Sequence, residues 1–176
     1  MVLYHSSKFC YAPNHVVKLN EGEHSLFYNH ANELQREVID LFDKYVSLNH
    51  LGIPQRKNAL FAFEKEHYAY WYNPDSFIYE IEMNYYCKGP FVLVDNVRKF
   101  IGDERKVNAI LSEYYQPNLL IDNNTDWIVY EYLGKSFRVI RRCETHHKVI
   151  DSFSADREKA LRLFGNAQKG TIGIIA

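Results

Sequence analysis

The sequence predicts an α+β domain with a mixed or largely antiparallel β core and flanking helices. Three observations carry that. Expected strands outnumber expected helices, the helical stretches fall between them irregularly, and Gly and Pro punctuate the joins instead of marking a regular strand–helix–strand winding. At 176 residues, with 47% hydrophobic and 24% charged residues and only 8 Gly and 5 Pro, the chain has the material for one core and no composition of disorder. Residues 1–176 therefore read as a single domain.

The elements follow in order. Val2–His5 is a short strand ending at Ser6-Ser7. Leu34, Val38, Leu41, Phe42, Tyr45 and Val46 recur at helical spacing between about His30 and Asn49, with Glu33, Glu37, Asp43 and Lys44 as polar positions. Asn49, Gly52 and Pro54 end that helix. Arg56 precedes Ala59–Phe63, an apolar run suited to a buried strand, and Glu64–Tyr72 supplies one or two helical turns. After the turn signal Asn73-Pro74-Asp75, Phe77–Met83 alternates as a half-buried strand. Gly89-Pro90 is expected to break it, and Phe91–Val94 to resume as a strand. Asp103–Tyr115 carries Val107, Ile110, Leu111 and Tyr114 at helical spacing, stopped by Pro117. Trp127–Leu133 and Phe137–Arg142, after the polar loop Asn123–Asp126, read as a hairpin around Gly134-Lys135. Lys148–Phe153 is a last strand and Ala155–Phe164 a last helix with Ser154 as N-cap.

Composition narrows the function classes. A net charge of -1 gives no global basic field for nucleic acid, so any such binding is local. Cys10, Cys87 and Cys143 are widely separated and lack metal-ligand spacing, and His146-His147 would point to opposite strand faces, so no metal is expected. No apolar run approaches the roughly 20 residues of a membrane span, and the N-terminus has no secretory pattern, which makes cytoplasmic residence the expectation. Signatures of P-loop nucleotide hydrolases, dinucleotide folds, zincins, serine hydrolases and EF-hands are absent from the sequence. The aromatic fraction of 15% concentrates in part between Phe61 and Tyr72.

The succession of short elements is more informative than any single motif. Leu3-Tyr4-His5-Ser6-Ser7, then Arg56-Lys57-Asn58 before Ala59–Phe63, then His67–Tyr72, and late in the chain Trp127–Leu133 with Phe137–Ile140 resembles the ADP-ribosyltransferase superfamily, in the branch with His, aromatic and Glu in that order. The resemblance covers about residues 2 to 142. It implies a split-sheet fold and an NAD-dependent enzyme of the glycosyltransferase class that cleaves the nicotinamide–ribose bond and passes ADP-ribose to a macromolecular acceptor, protein or nucleic acid. Small stand-alone members of this kind include toxins and phage proteins. Residue by residue, it implies that Glu131 is the catalytic glutamate, that His5 bonds a ribose hydroxyl with Ser6 near the nicotinamide amide, and that Phe61 and Tyr68 or Tyr70 frame the nicotinamide. Asn123–Asp126 would be its substrate-recognition loop. The sequence departs from the family where Arg56-Lys57-Asn58 replaces a Gly or Ser-Thr-Ser opening, and where Val129 stands two before Glu131, which disfavours arginine as acceptor.

Elementary chemistry agrees with these roles. Glycosidic cleavage develops an oxocarbenium centre that a carboxylate stabilises, aromatic rings sandwich a flat heteroaromatic, and a guanidinium such as Arg56 pairs with a diphosphate. The same residues also admit plain readings: Tyr68–Tyr72 as core packing, Glu131 as an outward residue of a two-sided strand, Arg56 as a loop charge. A rival from another class is a non-catalytic nucleic-acid-binding or inhibitor module using the strip 135–148, where Lys135, Arg138, Arg141, Arg142 and Lys148 face a single Glu144. A related fold that transfers or removes phosphate through NAD-like binding, without ADP-ribosylation, is a third alternative.

Overall fold

The structure, a computed structural model, describes residues 1–72, 76–115 and 129–143. The expected turn at 73–75, Pro117, the loop at 123–126, His146-His147, Lys148, the strand at 148–153 and the helix at 155–164 lie outside the described residues.

The described residues form one α+β domain. Its elements are β1 (Val2–Ser7), β2 (Val16–Lys18), α1 (Leu26–His30), α2 (Glu33–Leu48), a 3-10 turn (Arg56–Asn58), β3 (Leu60–Phe63), α3 (Glu66–Tyr72), β4 (Phe77–Pro90), α4 (Val92–Lys99), α5 (Glu104–Tyr115) and β5 (Tyr130–Arg142). All strand pairings are antiparallel, in the order β2-β5-β3-β1-β4, and β4 also pairs with β5. Strands β5, β3, β1 and β4 thus close on one another, and among the described residues β2 is the edge. Leu3, Ala62, Tyr79, Ile81, Tyr132 and Phe137 fill the inner face. The outer face of the β3–β5 region meets the helices, with Val38 and Phe42 of α2, Leu93 and Val97 of α4, and Ile110 and Tyr114 of α5 in one cluster.

Local chemistry fixes the helix starts. Asn32 accepts the Gln35 amide at 2.9 Å while Gln35 accepts the Asn32 amide at 2.9 Å, a reciprocal capping box at the head of α2. Asp103 accepts the Lys106 amide at 3.1 Å ahead of α5.

Three expectations are corrected, each by packing across the chain. Gly134-Lys135 does not turn a hairpin; β5 runs straight through it, because β3 and β2 line one edge (Leu60 opposite Gly134, Lys18 opposite Ser136) and β4 the other. Gly134 serves close approach instead: a Cβ there would lie 2.9 Å from Met83 Cγ and 3.0 Å from the Asn84 carbonyl. Gly89-Pro90 does not break β4, which continues to Pro90. Phe91–Val94 opens helix α4 instead of a strand, burying Leu93 and Val97 one turn apart; a four-residue apolar run does not distinguish the two by periodicity.

Candidate functional site

Arg56, Phe61 and Glu131 come together on the outer face. Glu131 is 0% exposed and Arg56 3% exposed. The guanidinium donates from Nη1 to Glu131 Oε1 at 2.6 Å and from Nη2 to Oε2 at 2.8 Å, a bidentate pair. The Tyr114 hydroxyl donates to Glu131 Oε1 at 2.7 Å and receives Arg56 Nη1 at 3.1 Å. Aromatic faces enclose the cation: Arg56 Cζ lies 4.6 Å from the Phe42 ring centroid and 4.8 Å from that of Phe61. Upstream, the buried Asp43 carboxylate accepts the backbone amides of Arg56 and Lys57, which tethers the 3-10 turn to α2.

The electrostatics follow from this enclosure. Burial works against the Arg56 charge, but the Glu131 carboxylate beside it prevails and holds the guanidinium well above its ordinary value. Burial, reinforced by the same carboxylate, pushes the Tyr114 phenol up, so it stays protonated and donates. Burial raises Asp43, opposed by the two amides it accepts. Cys87 is pushed up to about 11 by burial and is an unreactive thiol at neutral pH.

Tyr114 reaches Glu131 because of a glycine. Gly89 stands directly opposite Glu131 in the β4–β5 ladder, and a Cβ on Gly89 would lie 2.3 Å from the Tyr114 ring. Tyr114, Asp43 and Gly89 were not among the expected site residues. Asp43 had a legible signal, since it continues the buried stripe Ile39, Asp43, Val46 at helical spacing. Tyr114 reads as an ordinary apolar position of α5, and nothing local marks Gly89.

His5 occupies the other face. Tyr4 stands opposite Phe63, and Phe63 opposite Glu131, so these three share one face. His5, one residue on, shares the inner face with Tyr79, its partner on β4, and with the Ala62–Tyr132 pair of β3 and β5. Its Nδ1 lies 2.6 Å from the Phe61 carbonyl oxygen, and its ring centroid lies 4.6 Å from that of Phe137. A carbonyl only accepts, so Nδ1 carries the proton. Burial lowers His5 to about 4, leaving it neutral at pH 7 with an accepting lone pair on Nε2. Ser6 is half-buried in the ladder opposite Ile78.

Tyr68 and Tyr70 stand apart from both groups. Tyr68 is 3% exposed and packs with Phe63, Ala69, Ile78 and Phe91; Tyr70 is half-buried against the same cluster. The expected set thus separates: Arg56 and Glu131 in a sealed ion pair with Phe61 against it, His5 and Ser6 along β1, and the two tyrosines on α3. Arg56 meets Glu131 rather than open solvent.

The described part of the basic strip is laced with acids. Arg138 pairs with Glu82 at 2.5 Å and Arg141 with Glu80 at 2.5 Å, both across the β4–β5 ladder, while Arg142 Cζ lies 4.1 Å from the Phe77 ring centroid. Among the described residues, no cluster of His, Cys, Asp and Glu has the makings of a metal site, and no helix is long and apolar enough to cross a membrane.

No family model matches the chain, and no curated protein is similar to it at a significant level.

Proposed function

We propose that this protein is an NAD-dependent ADP-ribosyltransferase acting on a macromolecular acceptor, protein or nucleic acid. The supporting observation is the meeting of Glu131, Phe61 and Arg56 on the outer face of β5 and β3 although Glu131 is far along the chain from the other two, since a carboxylate, an aromatic ring and a guanidinium are the groups that a ribose, a nicotinamide and a diphosphate engage. His5 bonds the Phe61 backbone carbonyl from the opposite, inner face of the sheet, so on this reading Glu131 acts on the ribose without it.

On this reading the bond between nicotinamide and ribose breaks, nicotinamide leaves with the bonding electron pair, and the acceptor nucleophile adds to the same carbon and gives up its proton to solvent. Glu131 stabilises the positive charge that develops between those events. Sealed against Arg56, the carboxylate is already neutralised, so the reaction requires the pair to open. A diphosphate is the natural competitor, because it accepts a guanidinium in the same bidentate geometry as a carboxylate. NAD thus supplies the group that draws Arg56 away.

The test is nicotinamide release from labelled NAD, with protein and RNA acceptors, by wild type and by Glu131→Gln that has been checked for folding by circular dichroism. The proposal expects release from wild type and a loss of at least a hundredfold in a folded Glu131→Gln. No release by wild type, or equal release by both, rejects it.

The sealed position of Glu131 favours a second reading, a non-catalytic module in which the ion pair is a core support and the strip 135–148 engages nucleic acid or a protein target. It expects no NAD binding by calorimetry, and salt-sensitive binding to the target that is lost on replacing Arg141 and Arg142 by alanine.

A further inference from the structure

A carboxylate set among tyrosines lies at the Tyr130 end of β5. The Tyr132 hydroxyl donates to Glu64 Oε1, and Tyr132 sits on the inner face opposite Ala62. Tyr85 packs edge-on against Tyr132 at 4.8 Å between centroids and is 39% exposed. Tyr130, two residues back along β5, is half-buried. The Glu64 charge also helps hold the Tyr130 and Tyr132 phenols above their ordinary value, after burial, so both stay protonated.

Two features of this group point to a cation as its ligand. Among the described residues the half-buried Glu64 carboxylate accepts a hydrogen bond from the Tyr132 phenol and pairs with no cation. The chain also places a cation of its own on the same shelf, since Lys88 Nζ lies 5.0 Å from the Tyr130 ring centroid. Tyrosine faces attract cations, and a carboxylate beside them adds a charge-assisted hydrogen bond. A planar guanidinium uses both at once, stacking on a ring while donating at its edge, where an ammonium is a point charge.

We propose that Glu64, Tyr85, Tyr130 and Tyr132 form a recognition shelf for an arginine side chain of a partner protein, with the buried Tyr132 holding Glu64, Glu64 accepting from the guanidinium and Tyr85 stacking on it, while Lys88 covers Tyr130. This does not rest on the enzymatic reading. It would provide docking for a basic macromolecule whether or not the protein turns over NAD.

The test is calorimetric titration of the full chain with N-acetyl-arginine amide, using the neutral isostere N-acetyl-citrulline amide as control. The expected result is saturable binding of the arginine compound, at least tenfold weaker binding of the citrulline compound, and a loss of at least tenfold in Glu64→Gln. Tyr85→Ala, at a position 39% exposed and held edge-on against Tyr132, weakens binding while the protein still folds, and serves if Glu64→Gln fails to fold. Glu82→Gln, a surface acid paired to Arg138, leaves binding unchanged. Equal binding of the two compounds, no binding by wild type, or binding indifferent to both Glu64→Gln and Tyr85→Ala overturns the proposal.

Discussion

The buried Arg56–Glu131 pair makes a prediction whose sign depends on which partner is removed. Replacing Glu131 by Leu strands a guanidinium that is 3% exposed and deprives Tyr114 of its acceptor, with only the neutral Tyr114 hydroxyl and aromatic faces left around the charge. Breaking one side of such a pair costs about 3–5 kcal/mol, because the surviving charge stays desolvated. At about 2–4 °C per kcal/mol for a chain of this size, the melting temperature falls by roughly 6–20 °C. Arg56→Met strands the carboxylate and costs a similar amount. The double variant Arg56→Met with Glu131→Leu removes both charges and fills the space with apolar atoms among Phe42 and Phe61, so it recovers most of the loss, to within about 2 kcal/mol of wild type. Thermal and urea unfolding of the four proteins yields a coupling energy of several kcal/mol. A coupling below about 1 kcal/mol, or a double variant as unstable as the sum of the singles, would refute the argument that mutual desolvation governs this cluster. The same proteins inform the catalytic reading: a double variant that folds well yet releases no nicotinamide separates the chemistry of Glu131 from its support of the fold.

Two further outcomes follow from the geometry. His5 titrates at about 4 in the fold against 6.5 ordinarily, so the unfolded chain takes up the proton first as pH drops. Its contribution is fully present above about pH 6.5, falls between 6.5 and 4, and is exhausted below; for a part-exposed ring the loss is about 2–3 kcal/mol. Unfolding free energies measured across that range for wild type and His5→Gln should differ in slope, and parallel profiles would contradict the assignment. Gly89→Ala drives a methyl into the Tyr114 ring and should cost about 2–3 kcal/mol, with the cost shrinking in a Tyr114→Leu background. An undiminished cost there would show that backbone conformation, not the ring, requires the glycine.

Much of the architecture is carried by local pattern. The stripe from Val38 to Val46 determines α2, the run Ala59–Phe63 determines β3, and the alternation Phe77, Tyr79, Ile81, Met83 determines the first half of β4, because side-chain periodicity and burial are properties of a segment and its neighbours along the chain. His5, Phe61 and Glu131 were likewise legible as polar or aromatic positions on strands. What tertiary structure alone decided was which of them meet. Whether Gly134 turns or passes straight depends on strands β3, β2 and β4 lying on either side of it, and Gly89 is explained only by a tyrosine on α5. The face on which a strand residue falls is set by cross-strand register, and a shift of one residue reverses it. That register places Glu131 with Arg56 and His5 on the opposite side of the sheet, a relation between segments that no spacing within the sequence encodes.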